Sequence, residues 1–186
     1  MKNIFELKHF SYFSESSVHK SLKQTSEDTD KNPTEYMSEI KTSVIDFDEV
    51  KKDYLKENGM TEDNAKSVDA LYICENKICF TEFKNGEFSS NEIVEKALSS
   101  ALMFMDITGC QLSEFREKTM FVLVYNEEVK KPNSRQCVAG YMAKKSRKYY
   151  SKFQLDHLHN FCFGEIAEVE KKDFDNSRYV AGIRAY

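Results

Sequence analysis

The chain has 186 residues, a formal net charge of −4 at pH 7, and 40% hydrophobic and 31% charged residues. This length and balance exclude a disordered or fibrous chain and predict one globular domain over 1–186 with a single core. No stretch approaches the ~20 uninterrupted apolar residues of a membrane span, and the first residues lack the apolar run of a secretory leader, so the expectation is a cytoplasmic protein without membrane association.

Ile4 to Phe13 reads as a short apolar element. The serine- and threonine-rich stretch 14–34, with Glu15, Glu27, Asp28 and Asp30 and ending near Pro33, reads as a mobile polar loop. Val44 to Asn58 mixes apolar and charged residues as a short strand entering a helix that stops near Gly59.

The most informative stretch runs from Lys66 to Gly86. Val68 to Cys74 and Lys77 to Lys84 are rich in β-branched, aromatic and apolar side chains, and the polar break Glu75-Asn76 suits a two-residue hairpin loop. With that loop, Tyr72 faces Cys79, Leu71 faces Phe80, and Asp69 falls opposite Glu82 on one sheet face. Lys84, two residues on, returns to the same face. A loop at Asn76-Lys77 instead sets Asp69 opposite Lys84 with all three still on that face, whereas a three-residue loop breaks the arrangement. Like charges opposed on a sheet are destabilising and call for a cation nearby. Lys84 or a divalent metal fits that need, and carboxylate oxygens are the ligands Mg²⁺ prefers. A solvated hairpin end is the bland alternative, but Leu71, Ile73, Ile78, Phe80 and Phe83 make both faces too apolar for an exposed ribbon.

After the hairpin, Ser89 with Glu92 three residues on is a capping box opening a helix, and Ile93, Val94, Ala97, Leu98, Ala101, Leu102 and Met105 form its apolar stripe before Gly109. Lys96 and Ser100, four apart at the polar edge of that stripe, are candidates to reach the acidic face or a phosphate, with a solvated flank as the alternative. Met120 to Tyr125 reads as a buried strand beside the Glu82 strand, joined to it by a parallel crossover. Between Lys130 and Lys152 the chain carries Lys130, Lys131, Arg135, Lys144, Lys145, Arg147, Lys148 and Lys152 and no acid, with tyrosines interleaved. This is either a patch for a phosphate backbone or a solvated basic face. Phe161 to Val169 reads as a further strand and Lys171 to Tyr179 as a short helix or turn. The five cysteines lack any Cys-x-x-Cys pair, and the hairpin register does not oppose Cys74 to Cys79, so reduced, mostly buried thiols are expected and no zinc site.

Asp69, a spacer and then Glu82-Phe83-Lys84 closing an apolar strand resemble the PD-(D/E)XK nuclease superfamily, with Val68 where the motif has proline. The resemblance covers the chain from Lys66 to about Gly109. It implies an α/β fold in which helices flank a central mixed β-sheet, a restriction-endonuclease-like αβββαβ core, here with C-terminal additions. It further implies a Mg²⁺- or Mn²⁺-dependent nuclease in which Asp69, Glu82 and the Phe83 carbonyl bind metal and Lys84 assists catalysis. The superfamily often carries an acid on the preceding helix, for which Glu49 and Glu39 are candidates. No clear first strand occurs between Asn58 and Lys66, so the family order requires Val44 to Phe47 in that role. The expected substrate is nucleic acid, DNA rather than RNA on the resemblance alone, bound with help from Lys144, Lys145, Arg147, Lys148 and Lys152 in a restriction, repair or phage-defence setting. The alternatives are a non-catalytic binding or immunity-type protein that keeps this scaffold to mask a basic partner, and a subunit that docks a protein partner or a second copy.

Overall fold

The structure, a computed structural model, describes residues 3–28, 33–127 and 151–184. It is an α/β fold in which one six-stranded mixed sheet is flanked by helices. Among the described residues no helix is long and apolar enough to cross a membrane.

The hairpin is the centre of the sheet. Strands β5 (Ala70–Cys74) and β6 (Lys77–Lys84) pair antiparallel with Cys74 opposite Lys77, Tyr72 opposite Cys79 and Leu71 opposite Phe80. The loop is therefore Glu75-Asn76, and Glu75 adopts a positive φ of 52° to close it. Nearly every residue of both strands is buried, as expected of a ribbon covered on both faces.

Strand β4 (Ser43–Asp46) pairs antiparallel with β5, which supplies the first strand that the sequence left in question. The helix α3 (Phe47–Glu57) lies between β4 and β5, whereas the expected αβββαβ order sets its helix ahead of the three-stranded meander. Asp46 explains that placement: its Oδ1 accepts from the backbone N–H groups of Asp48 and Glu49, so the strand turns directly into a capped helix. Beyond β4, the stretch read as a polar loop contributes an edge strand, β1 (His19–Ser21), a single helical turn, α2 (Leu22–Thr25), and a short strand, β2 (Glu27–Asp28), paired with β3 (Glu35–Tyr36). Short strands without apolar alternation leave no period-two pattern to read.

On the other side of β6, helices α4 (Ser90–Thr108) and α5 (Leu112–Lys118) cross over to β7 (Thr119–Tyr125), which runs parallel to β6 with Glu82 beside Leu123 and Lys84 beside Tyr125. The last strand, β8 (Glu165–Glu170), is parallel to β7 and leads into α6 (Lys171–Phe174). The sheet order is β1-β4-β5-β6-β7-β8.

Residues of α3, α4 and α5 pack with Leu71, Ile73, Ile78, Phe80, Phe121 and Leu123 on one face. Phe80 is the hub there, its ring 5.4–5.9 Å from those of Phe47, Phe104, Phe115 and Phe163. Helix α4 presents Ile93, Ala97, Ala101, Met103 and Phe104 to this core, while Leu102, expected in the stripe, is 65% exposed. Leu22, Met37, Phe174 and Val180 cover the opposite face. Cys74, Cys79, Cys110 and Cys162 are buried and free.

Candidate functional site

Asp69 stands one residue before β5, and its backbone N–H donates at 3.1 Å to the carbonyl of Thr81, the residue that pairs with Ala70. The paired register ends at Ala70 opposite Thr81, and Asp69 and Glu82 lie on one side of the sheet, since Lys96 Nζ reaches both. Asp69 Oδ2 accepts the backbone N–H of Phe83 at 2.6 Å. Phe83 itself turns its ring to the other face, against Phe174. Glu82 is fully buried, whereas 17% of the Asp69 side chain is exposed.

Two lysines meet these acids. Lys84 Nζ lies 3.2 Å from Glu82 Oε1, and Lys96 Nζ lies 2.7 Å from the same oxygen and 3.5 Å from Asp69 Oδ1. Ser100 Oγ accepts the backbone N–H of Val68 at 2.9 Å, fixing the residue that precedes Asp69. Both α4 candidates therefore belong to the site. Glu92 completes the row: Ser89 Oγ accepts the Glu92 backbone N–H at 3.1 Å, but the Glu92 carboxylate turns to Lys84 Nζ at 2.6 Å. Glu92, Lys96 and Ser100 follow one another at intervals of four, the spacing that stacks side chains on one helix face. In the sequence Glu92 reads only as a capping residue; the spacing of four, with opposite charges at 92 and 96, is the signal that marks it as a neighbour of the site.

Burial pushes the Glu82 carboxyl up to about 8, with the neighbouring Asp69 charge adding to it and the lysines opposing. Burial likewise raises Asp69, opposed by Lys96 and by the Phe83 N–H. For Lys96, burial works against the charge, but Asp69 and Glu82 outweigh it and hold the ammonium above the ordinary lysine range. Lys84 is raised in the same way by Glu82 and Glu92. Glu82 Oε1 thus serves two ammonium groups, while its buried Oε2 has no hydrogen-bond partner among the described residues.

A cleft of about 490 Å³ opens above, lined by Asp69, Phe83, Lys84 and Lys96. That is room for an ion together with a small ligand. Asp46, Asp48, Glu27, Asp28 and Glu87 also line it, so the described wall is predominantly acidic. Asp48 receives the Ser67 hydroxyl. Glu49 turns away to Lys52 at 3.0 Å and Lys20 at 3.4 Å, and Glu39 pairs with Lys23 at 2.6 Å on the surface. Asp48 rather than Glu49 is the α3 acid that faces the cleft.

Lys144, Lys145, Arg147 and Lys148 lie outside the described residues. Lys152 is at the same end of the sheet as Lys84: its Nζ donates to the Tyr125 hydroxyl at 2.5 Å and lies 3.8 Å from Glu170. Beside it, Glu168 accepts the Ser151 hydroxyl at 2.5 Å and the backbone N–H groups of Lys152 and Phe153 at 2.6 and 3.1 Å, anchoring 151–153 to β8.

Among the described residues no group of three or more His, Cys, Asp or Glu side chains is placed to hold a metal ion. Two carboxylates do converge, and one of their oxygens is buried without a partner, a donor set that suits a hard cation whose other ligands are a backbone carbonyl, water and phosphate oxygens. No family model, curated protein or solved structure matches the chain.

Proposed function

We propose that the chain is a metal-dependent phosphodiester hydrolase, a nuclease acting on DNA rather than RNA. The observation that carries this reading is the convergence of Asp69, Glu82 and Lys84 beneath an open cleft, with Glu82 Oε2 buried and unpartnered among the described residues. Asp69, Glu82 and the Phe83 carbonyl would hold Mg²⁺ or Mn²⁺. Such an ion supplies charge neutralisation at a phosphoryl oxygen and a lowered pKa for bound water. Lys84, steadied by Glu92, orients the attacking water or meets the negative charge that develops on the phosphate. Ser100 fixes Asp69 through the Val68 backbone. The preference for DNA follows from the family resemblance alone.

A second reading has a specific observation behind it. Lys96 already sits within ion-pair distance of both acids, and the cleft wall is acidic, features suited to a non-catalytic protein that binds a basic partner. One experiment separates the two: cleavage of single-stranded, duplex and branched DNA with Mg²⁺ or with chelator. The nuclease reading expects Mg²⁺-dependent cleavage, reduced ~10²-fold or more by Asp69→Asn, Glu82→Gln or Lys84→Ala, with each variant still folded at the assay temperature. Activity indifferent to chelator or to all three substitutions removes the reading.

A further inference from the structure

Lys96 reaches from α4 into the space between two carboxylates. Its ammonium lies 2.7 Å from Glu82 Oε1 and 3.5 Å from Asp69 Oδ1, and 18% of its side chain is exposed, at the cleft. Carboxylates held opposite one another on a ribbon need a cation between them. Lys96 supplies it. Lys84 is differently engaged, since its shorter bond is to Glu92, at 2.6 Å against 3.2 Å to Glu82. The far oxygen of Glu82 stays buried with no partner among the described residues, so the lysine satisfies only part of the pair. An ammonium is a point charge on a flexible stem and can leave without disturbing the backbone that carries it.

We propose that Lys96 is an internal counter-cation of the Asp69–Glu82 pair, set between the two carboxylates where a divalent ion competes with it, so that entry of the ion expels the ammonium into the cleft. This inference rests on the metal-dependent reading of the pair. The two cations cannot share the same oxygens at bonding distance without strong repulsion. Lys96 therefore sets the concentration of metal at which the site fills. Its stem keeps the expelled charge within the cleft, where it meets a phosphate oxygen. Metal occupancy and phosphate binding then favour each other.

The test is Mn²⁺ binding to the full chain, followed by electron paramagnetic resonance of the free ion, for wild type, Lys96→Gln, Lys96→Arg and Asp69→Asn. Lys96→Gln keeps a hydrogen-bond donor but no charge, and is expected to bind Mn²⁺ about tenfold tighter or more, roughly the 1.4 kcal/mol that a tenfold change represents. Lys96→Arg is expected to bind no tighter than wild type, and Asp69→Asn to lose binding. Asp69-dependent binding that Lys96→Gln fails to tighten overturns the competition while leaving the metal site standing. No Asp69-dependent binding in any protein overturns both. Should Lys96→Gln fail to fold, the wild type decides: in ¹³Cε-lysine spectra the Lys96 signal is expected to move towards that of a solvated lysine as Mg²⁺ saturates. A stationary Lys96 signal at saturation overturns the proposal.

Discussion

Glu82 presents two unlike oxygens, one shared by Lys84 and Lys96 and one buried without a partner among the described residues. Its carboxyl, raised from 4.5 to about 8 chiefly by burial, gives up its proton at a higher pH in the fold than in the unfolded chain. A group raised in this way stabilises the fold fully below its unfolded pKa, and the contribution fades as pH climbs through the folded value. Without divalent ions, Glu82→Gln should therefore melt several degrees above wild type at pH 9 and lose that advantage by pH 5, measured by calorimetry. An advantage that does not change with pH would refute the assignment. At this scale the sequence yielded the residues that share the hairpin face, because alternation along a strand depends on nothing beyond it. It did not separate Asp48 from Glu49. The direction each acid faces depends on where α3 begins, and the cap at Asp46 sets that start.

Elements were legible where one clear period or a short polar break marks them. The hairpin and its register follow from Glu75-Asn76, and β7 follows from its unbroken apolar run. Helix α4 was found with its cap, but its inward face was drawn from hydrophobicity alone. Ser100 is fully buried because it bonds to the Val68 backbone, while Leu102 faces outward. A polar residue recruited inward by a backbone group defeats such a pattern. Gly164, just ahead of β8, illustrates a constraint that periodicity does not carry: a Cβ there would collide with the Arg116 backbone carbonyl at the end of α5. Gly164→Ala should cost about 1–3 kcal/mol, read as a fall in the denaturant midpoint at unchanged slope. A midpoint equal to wild type would show that the two segments part freely.

At the scale of the whole molecule, positive and negative charge are segregated along the chain. The described cleft wall is acidic, and the run from Lys130 to Lys152 carries no acid. A polyanion approaching the cleft needs that run, or a bound cation, to overcome repulsion. Replacing Lys144, Lys145, Arg147 and Lys148 by Ala should weaken duplex DNA binding and flatten its salt dependence by about 0.9 in logarithmic slope for each phosphate that the variant no longer neutralises. Anisotropy titrations across a salt series measure this, and an unchanged slope would take the segment out of DNA binding. The sheet order of β5 to β7 was foreseeable from successive apolar strands, whereas the edge strand β1 draws its order from pairing with β4, a long-range contact that its own residues do not announce. The bond from the Val68 N–H to Ser100 Oγ gives the two layers a built-in clock. That proton is shielded by a side chain of the covering helix rather than by a neighbouring strand. Its exchange with deuterium therefore times how often the helical layer lifts from the sheet, one amide reporting the breathing of the fold above its acids.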